Sequence, residues 1–124
     1  MKIAISARGP VLSSELDPRF GRASYFVVAD TESGQLSVHD NSQNVRAAHG
    51  AGTRAAQDLA NLGVEAVITG NIGPNAAGVL GAADITVYKQ TWGTVRDAIE
   101  QLKSGRLRES AQAGAPGPGP GRPL

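Results

Sequence analysis

Leu62-Gly-Val-Glu-Ala-Val-Ile-Thr-Gly-Asn-Ile-Gly-Pro-Asn-Ala76 is the stretch on which the fold turns. Gly63 stands where a left-handed residue closes a helix. Glu65–Thr69 is a short Val/Ile run, the length and composition of a buried strand. Gly70-Asn-Ile-Gly73 ends that strand, and Pro74 suits the first position of a new helix, where the missing N–H costs nothing. Helix, buried strand and helix in such close succession form a crossover unit, and strands joined by right-handed crossovers pair in parallel.

The pattern continues in both directions. Upstream, Ala55, Ala56, Leu59 and Leu62 fall at the 3/4 spacing of one helical stripe. Downstream, Ala76, Ala77 and Leu80 make a weaker inner face, and Ile85–Lys89 reads as the last strand. Thr94 is positioned to cap a final helix that turns Val95, Ala98, Ile99 and Leu102 inward and ends at Gly105. Toward the other end, Lys2–Ser6 is a strand. Tyr25–Ala29 and Gln35–His39 flank Asp30-Thr-Glu-Ser-Gly34, the signature of an antiparallel hairpin. The expected order is β-β-β-α-β-α-β-α: an α/β domain with a five-stranded mixed sheet covered by helices. No internal repeat of fixed period is visible.

Composition agrees. The chain has 124 residues, 40% of them hydrophobic, with two Phe, two Tyr and one Trp, so the core must be built from Val, Ile, Leu and Ala. That suits a sheet buried under helices rather than an aromatic-rich sandwich. Residues 1–108 are expected to form one domain. Residues 109–124, with Gly114-Ala-Pro-Gly-Pro-Gly-Pro-Gly-Arg-Pro-Leu124 at their end, are expected to be a flexible tail, because proline cannot join a ladder and glycine loses most entropy on ordering. Twelve basic against eleven acidic residues leave a net charge of +1, which gives no drive toward nucleic acid or an anionic membrane. With no cysteine, disulfides, thiolate nucleophiles and cysteine cradles for zinc or iron–sulfur groups are excluded. The chain opens on a strand, without a charged leader or a long apolar run, and reads as cytoplasmic.

Three loops carry the candidate chemistry. Asp17-Pro-Arg-Phe-Gly-Arg22 offers Arg19 and Arg22 to an anion, with Gly21 letting the backbone come close; equally, Asp17-Pro18 can be a plain turn with Phe20 plugging the core edge. His49-Gly-Ala-Gly-Thr53 enters a helix whose first amides and dipole favour negative charge, although Gly50 and Gly52 can simply shape a loop. Gly70-Asn-Ile-Gly-Pro-Asn75 lies at the carboxyl end of a parallel strand, where open α/β sheets bind ligands, yet such a connection needs Gly and Pro for geometry alone. Convergence of all three at one sheet edge is the argument for a site. Of the two histidines, His39 ends a strand as a surface residue, and His49 is the candidate metal ligand, without a complete set of companions.

Catalysis finds little support. There is no nucleophile elbow, no loop lysine, and no carboxylate inside a strand that would build a magnesium site; Glu15, Asp17, Asp30, Asp40 and Asp84 are scattered at turns. The chain reads as a binding protein and not an enzyme.

Lys2-Ile-Ala-Ile-Ser6, Leu16-Asp-Pro-Arg-Phe-Gly-Arg-Ala-Ser-Tyr-Phe26, Gly50-Ala-Gly-Thr-Arg-Ala-Ala-Gln57 and the Leu62–Ala76 stretch together resemble the dinitrogenase iron–molybdenum cofactor biosynthesis family, over Lys2 to about Leu107. The resemblance implies a ribonuclease-H-like fold without nuclease activity and a role in carrying or inserting an iron–sulfur or iron–molybdenum cluster. Many such proteins have His immediately before Phe-Gly. Here that position is Arg19, as in the stand-alone branch with Pro-Arg-Phe-Gly-Arg. The reading that follows is a carrier for an anionic metal–sulfur cluster held by Arg19, Phe20, Gly21, Arg22, His49, Gly50, Ala51, Gly52, Thr53, Asn71, Gly73 and Asn75, with a protein partner in cluster assembly. The alternative is a metal-free protein-interaction or regulatory module.

Overall fold

Strand β1, Lys2–Ala7, lies at the centre of the sheet and sets its two faces. Successive side chains of a strand point to opposite sides. Ile3, Ile5 and Ala7 therefore enter one core and Ala4 the other, all fully buried. The computed structural model describes residues 1–47 and 49–109.

Antiparallel to β1 runs β2, Tyr25–Asp30, with Ile5 opposite Val27; β3, Leu36–Asp40, pairs antiparallel with β2 and forms the edge. On the other side of β1, β4, Ala66–Thr69, and β5, Thr86–Lys89, are both parallel, giving the order β3-β2-β1-β4-β5. The five-stranded mixed α/β sheet expected from the alternation of runs is what forms. Its strands begin or end within a residue of the expected bounds.

Helices α2, Ala51–Asn61, and α3, Pro74–Ala82, cover one face. Ala55, Ala56, Leu59, Ala76 and Leu80 pack there on Ala4, Phe26, Val28, Val67 and Val87. Helix α4, Val95–Lys103, covers the other with Val95 and Ala98 over Ile3, Ile5, Val27 and Ile68; Ile99 and Leu102 pack at its margin. Leu62, expected on the inner stripe of α2, is instead the residue that ends the helix and is 38% exposed. The chain also contains a single-turn helix, α1, Ser42–Val45, absent from the expected element order; one turn is too short to show a periodicity. Past α4 the chain returns beside β5, where Glu109 forms an antiparallel bridge with Tyr88. The remainder of the expected tail, residues 110–124, lies outside the described residues.

No helix among the described residues is long and apolar enough to cross a membrane.

Candidate functional site

The β1–β2 connection is pinned at its centre by Phe20, which is 1% exposed and sets its ring 5.2 Å from that of Phe26 at a 55° tilt. Burying a phenyl ring contributes about 1.5–3 kcal/mol, which offsets the backbone ordering of only a residue or two, so the ring acts together with backbone hydrogen bonds. Backbone bonds then lace this loop to the β4–α3 connection. The Asn71 N–H donates to the Pro18 carbonyl at 2.6 Å, and the Phe20 N–H donates to the Asn71 carbonyl at 3.1 Å. Gly21 lies so near the start of α2 that a Cβ on it would come within 2.9 Å of the Gly52 nitrogen and Cα. All three glycine-bearing loops thus meet at the carboxyl end of β4.

Between them is a cleft of about 300 Å³, lined by Phe20, Gly21 and Arg22 from the first loop, Gly50, Ala51, Gly52 and Thr53 from the second, and Gly73, Pro74, Asn75 and Ala76 from the third. Two helix beginnings form much of its wall. Gly50 precedes α2 with φ of +76°, a conformation costly for any residue with a Cβ, and Gly73 precedes α3. Neither helix start receives a side-chain cap, and neither has an acid in its first turn. The amides of Ala51, Gly52, Thr53, Asn75 and Ala76 have no carbonyl within their own helices to bond. The partial positive ends of both dipoles meet in the same hollow.

Helix α4, whose start lies elsewhere, is built differently. Thr94 Oγ1 accepts from the Asp97 N–H at 3.2 Å, and Asp97 Oδ2 accepts from the Thr94 N–H at 2.9 Å, a complete capping box. The two helices facing the cleft lack what the third one has.

Arg22 reaches the cleft and spends one donor, from Nη1, on the Val45 carbonyl at 2.8 Å. Arg19 takes another course. Its Nε and Nη2 each donate at 3.2 Å to the Asp17 carboxylate, and its backbone N–H donates to Asp17 Oδ1 at 2.9 Å. Asp17 is 2% exposed. Burial pushes its carboxyl upward, but the side-chain and backbone bonds from Arg19 and the guanidinium charge outweigh that and hold it below the usual carboxylate range.

Of the expected site residues, Phe20, Gly21, Arg22, Gly50, Ala51, Gly52, Thr53, Gly73 and Asn75 line the cleft. Arg19, His49 and Asn71 do not. Arg19 is bound to Asp17 with its side chain largely exposed, Asn71 acts through its backbone as a latch, and His49 is exposed outside the lining. Among the described residues no group of three or more His, Cys, Asp or Glu side chains could hold a metal ion, so His49 belongs to no such group. Pro74 and Ala76, which sequence reasoning passed over, complete the wall; as neighbours of Gly73 and Asn75 they were within reach of the same reading. The turn reading of Asp17-Pro18 holds as well, since the Asp17 carboxylate accepts the N–H of Arg19, two residues on.

Fold and cleft together define an open-sheet α/β domain with a ligand-sized hollow beyond its parallel strands, lined by glycine and by uncapped helix starts. The chain belongs to the dinitrogenase iron–molybdenum cofactor family, which matches residues 1–105, and this membership connects it with the biosynthesis of that cofactor. It is similar to the orange protein of Desulfovibrio gigas, solved in its apo form, with 40% identity and a TM-score of 0.87 over 90% of this chain and 93% of that one. A NifB-like Thermotoga protein solved by NMR is 44% identical, with a TM-score of 0.78 over 87% of this chain and 91% of its own. An uncharacterised protein of Methanocaldococcus jannaschii is 34% identical over 111 residues, 88% of this chain and 91% of the relative.

Proposed function

We propose that this protein is a non-catalytic carrier that holds a small anionic metal–sulfur cluster as cargo in the cleft and passes it on during cofactor assembly. The observation that carries this reading is the convergence of two helix starts without side-chain caps, and of Arg22, on one hollow of about 300 Å³. Such a surface offers amide and guanidinium donors to the sulfido or oxo edge of an anion. The chain has no cysteine, and the cleft lining contains no histidine or carboxylate. The cargo is therefore gripped by its outer atoms and not through bonds to its metals, which leaves it free to leave intact. The family supports a cluster as the anion, and the orange protein, solved in an apo form, is a relative with a group to lose.

The test is anaerobic mixing with tetrathiomolybdate, with and without ferrous iron, followed by gel filtration and absorbance of the protein peak. A stoichiometric coloured complex is expected. Arg22→Ala should bind about tenfold or more weakly, since a charge-assisted hydrogen bond contributes roughly 1.5–3 kcal/mol. Absence of a complex with the parent, or equal binding by Arg22→Ala, refutes the proposal.

A further inference from the structure

Behind the cleft runs a chain of hydrogen bonds that meets its lining at one residue, Arg22. It starts at the bond from Arg22 to the Val45 carbonyl, the last residue of α1. A single helical turn does not persist unaided, because nucleation costs more than one turn returns. What holds α1 is side-chain chemistry from three directions. Asn44 Nδ2 donates at 2.8 Å to Asp58 Oδ2, on α2, and at 2.8 Å to Asn41 Oδ1. His39 Nε2, on the edge strand β3, lies 3.2 Å from the same Asp58 oxygen. Asn41 is fully buried and donates to the Ala23 carbonyl at 2.8 Å, next to Arg22 in the chain.

We infer that Asp58 is a positioning residue: by holding Asn44 and His39 on one oxygen it fixes α1, and α1 fixes the Arg22 guanidinium at the cleft. The inference rests on the reading of the cleft as an anion site. As an isolated ion pair, partly exposed Asp58 and His39 would contribute little. Their effect lies in geometry. Asp58 sits in the same helix whose first amides face the cleft, so the strut ties Arg22 to the very element with which it must act in register.

Two measurements test this on the full chain. Without cargo, NMR relaxation of the Arg22 Nε–Hε group should show added side-chain motion in Asp58→Ala and parent-like order in Asp58→Asn, which keeps an acceptor oxygen. With tetrathiomolybdate, Asp58→Ala should bind about threefold to tenfold more weakly, with Asp58→Asn near the parent. In an Arg22→Ala background, Asp58→Ala should cause no further loss, because a residue that acts through Arg22 has nothing left to act on. Additive losses, or an Arg22 group equally ordered in Asp58→Ala, overturn the inference. If the parent binds no tetrathiomolybdate, the carrier proposal falls, and the relaxation measurement still decides the strut.

Discussion

Replacing Gly21 by alanine puts a methyl group where the structure has no room for one. The added Cβ would lie 2.9 Å from both the nitrogen and the Cα of Gly52, and 3.5 Å from the Ala51 carbonyl carbon. Those are backbone atoms of the first turn of α2, so no rotamer change relieves the overlap. Gly52 in turn has little freedom to retreat, because its own Cβ position faces the Ala76 methyl at 3.3 Å. Relief must come from shifting the loop anchored by Phe20 or the start of α2. Overpacking of that kind costs about 1–3 kcal/mol. For a domain of this size that is a fall in melting temperature of roughly 5–20 °C. Gly78→Ala is the matched control with the opposite sign. It lies inside α3 with nothing within 4 Å of its Cβ position, so alanine should raise stability by about 0.5–1 kcal/mol through helix propensity. Thermal and urea denaturation followed by circular dichroism measures both. A Gly21→Ala protein that melts with the parent, or both variants shifting the same way, would refute the close packing of loop and helix.

Asp17→Asn should destabilise by about 0.5–1.5 kcal/mol at neutral pH by weakening the bonds to Arg19, whose side chain is solvent-exposed and so screened. Because the folded protein holds the Asp17 carboxyl below its ordinary value, this stability is present above the unfolded pKa and is lost as pH falls through the folded one. The gap between parent and variant in urea titrations should therefore close below about pH 4; a gap that is constant with pH would argue against the pairing. Thr94→Ala removes the cap of α4 and should cost about 1 kcal/mol in the same assay while leaving tetrathiomolybdate binding unchanged, since α4 covers the opposite face; loss of binding would mean the two faces are coupled.

The parts of the fold that follow from local pattern were readable. Pro74 begins α3, Thr94 caps α4, Gly63 and Gly105 close helices with φ near +75°, and Ala76, Ala77 and Leu80 form the buried stripe. The hairpin and the parallel pairs follow from connection chemistry and handedness, which depend on short stretches. The gathering of the glycine loops was legible for the same reason, since strand order dictates which loops share an end. Partnerships were not. Nothing local says that His39 meets Asp58, nineteen positions on, so a residue expected at the surface is half-buried and paired. Arg19 and Arg22 look alike in Arg-Phe-Gly-Arg, and only packing sends one to a buried carboxylate and the other to the cleft.

The lacing of the first loop to the β4–α3 connection has a kinetic corollary. A long, irregular segment usually settles only when its ligand arrives, and that ordering slows capture and weakens the grip. Here the amides of Phe20 and Asn71 already fasten the two stretches across their backbones, so the proposed cargo would meet two walls already tied to each other. On the proposed carrier reading, encounter by diffusion and not rearrangement would set the pace of loading, and anions would differ chiefly in how slowly each one departs.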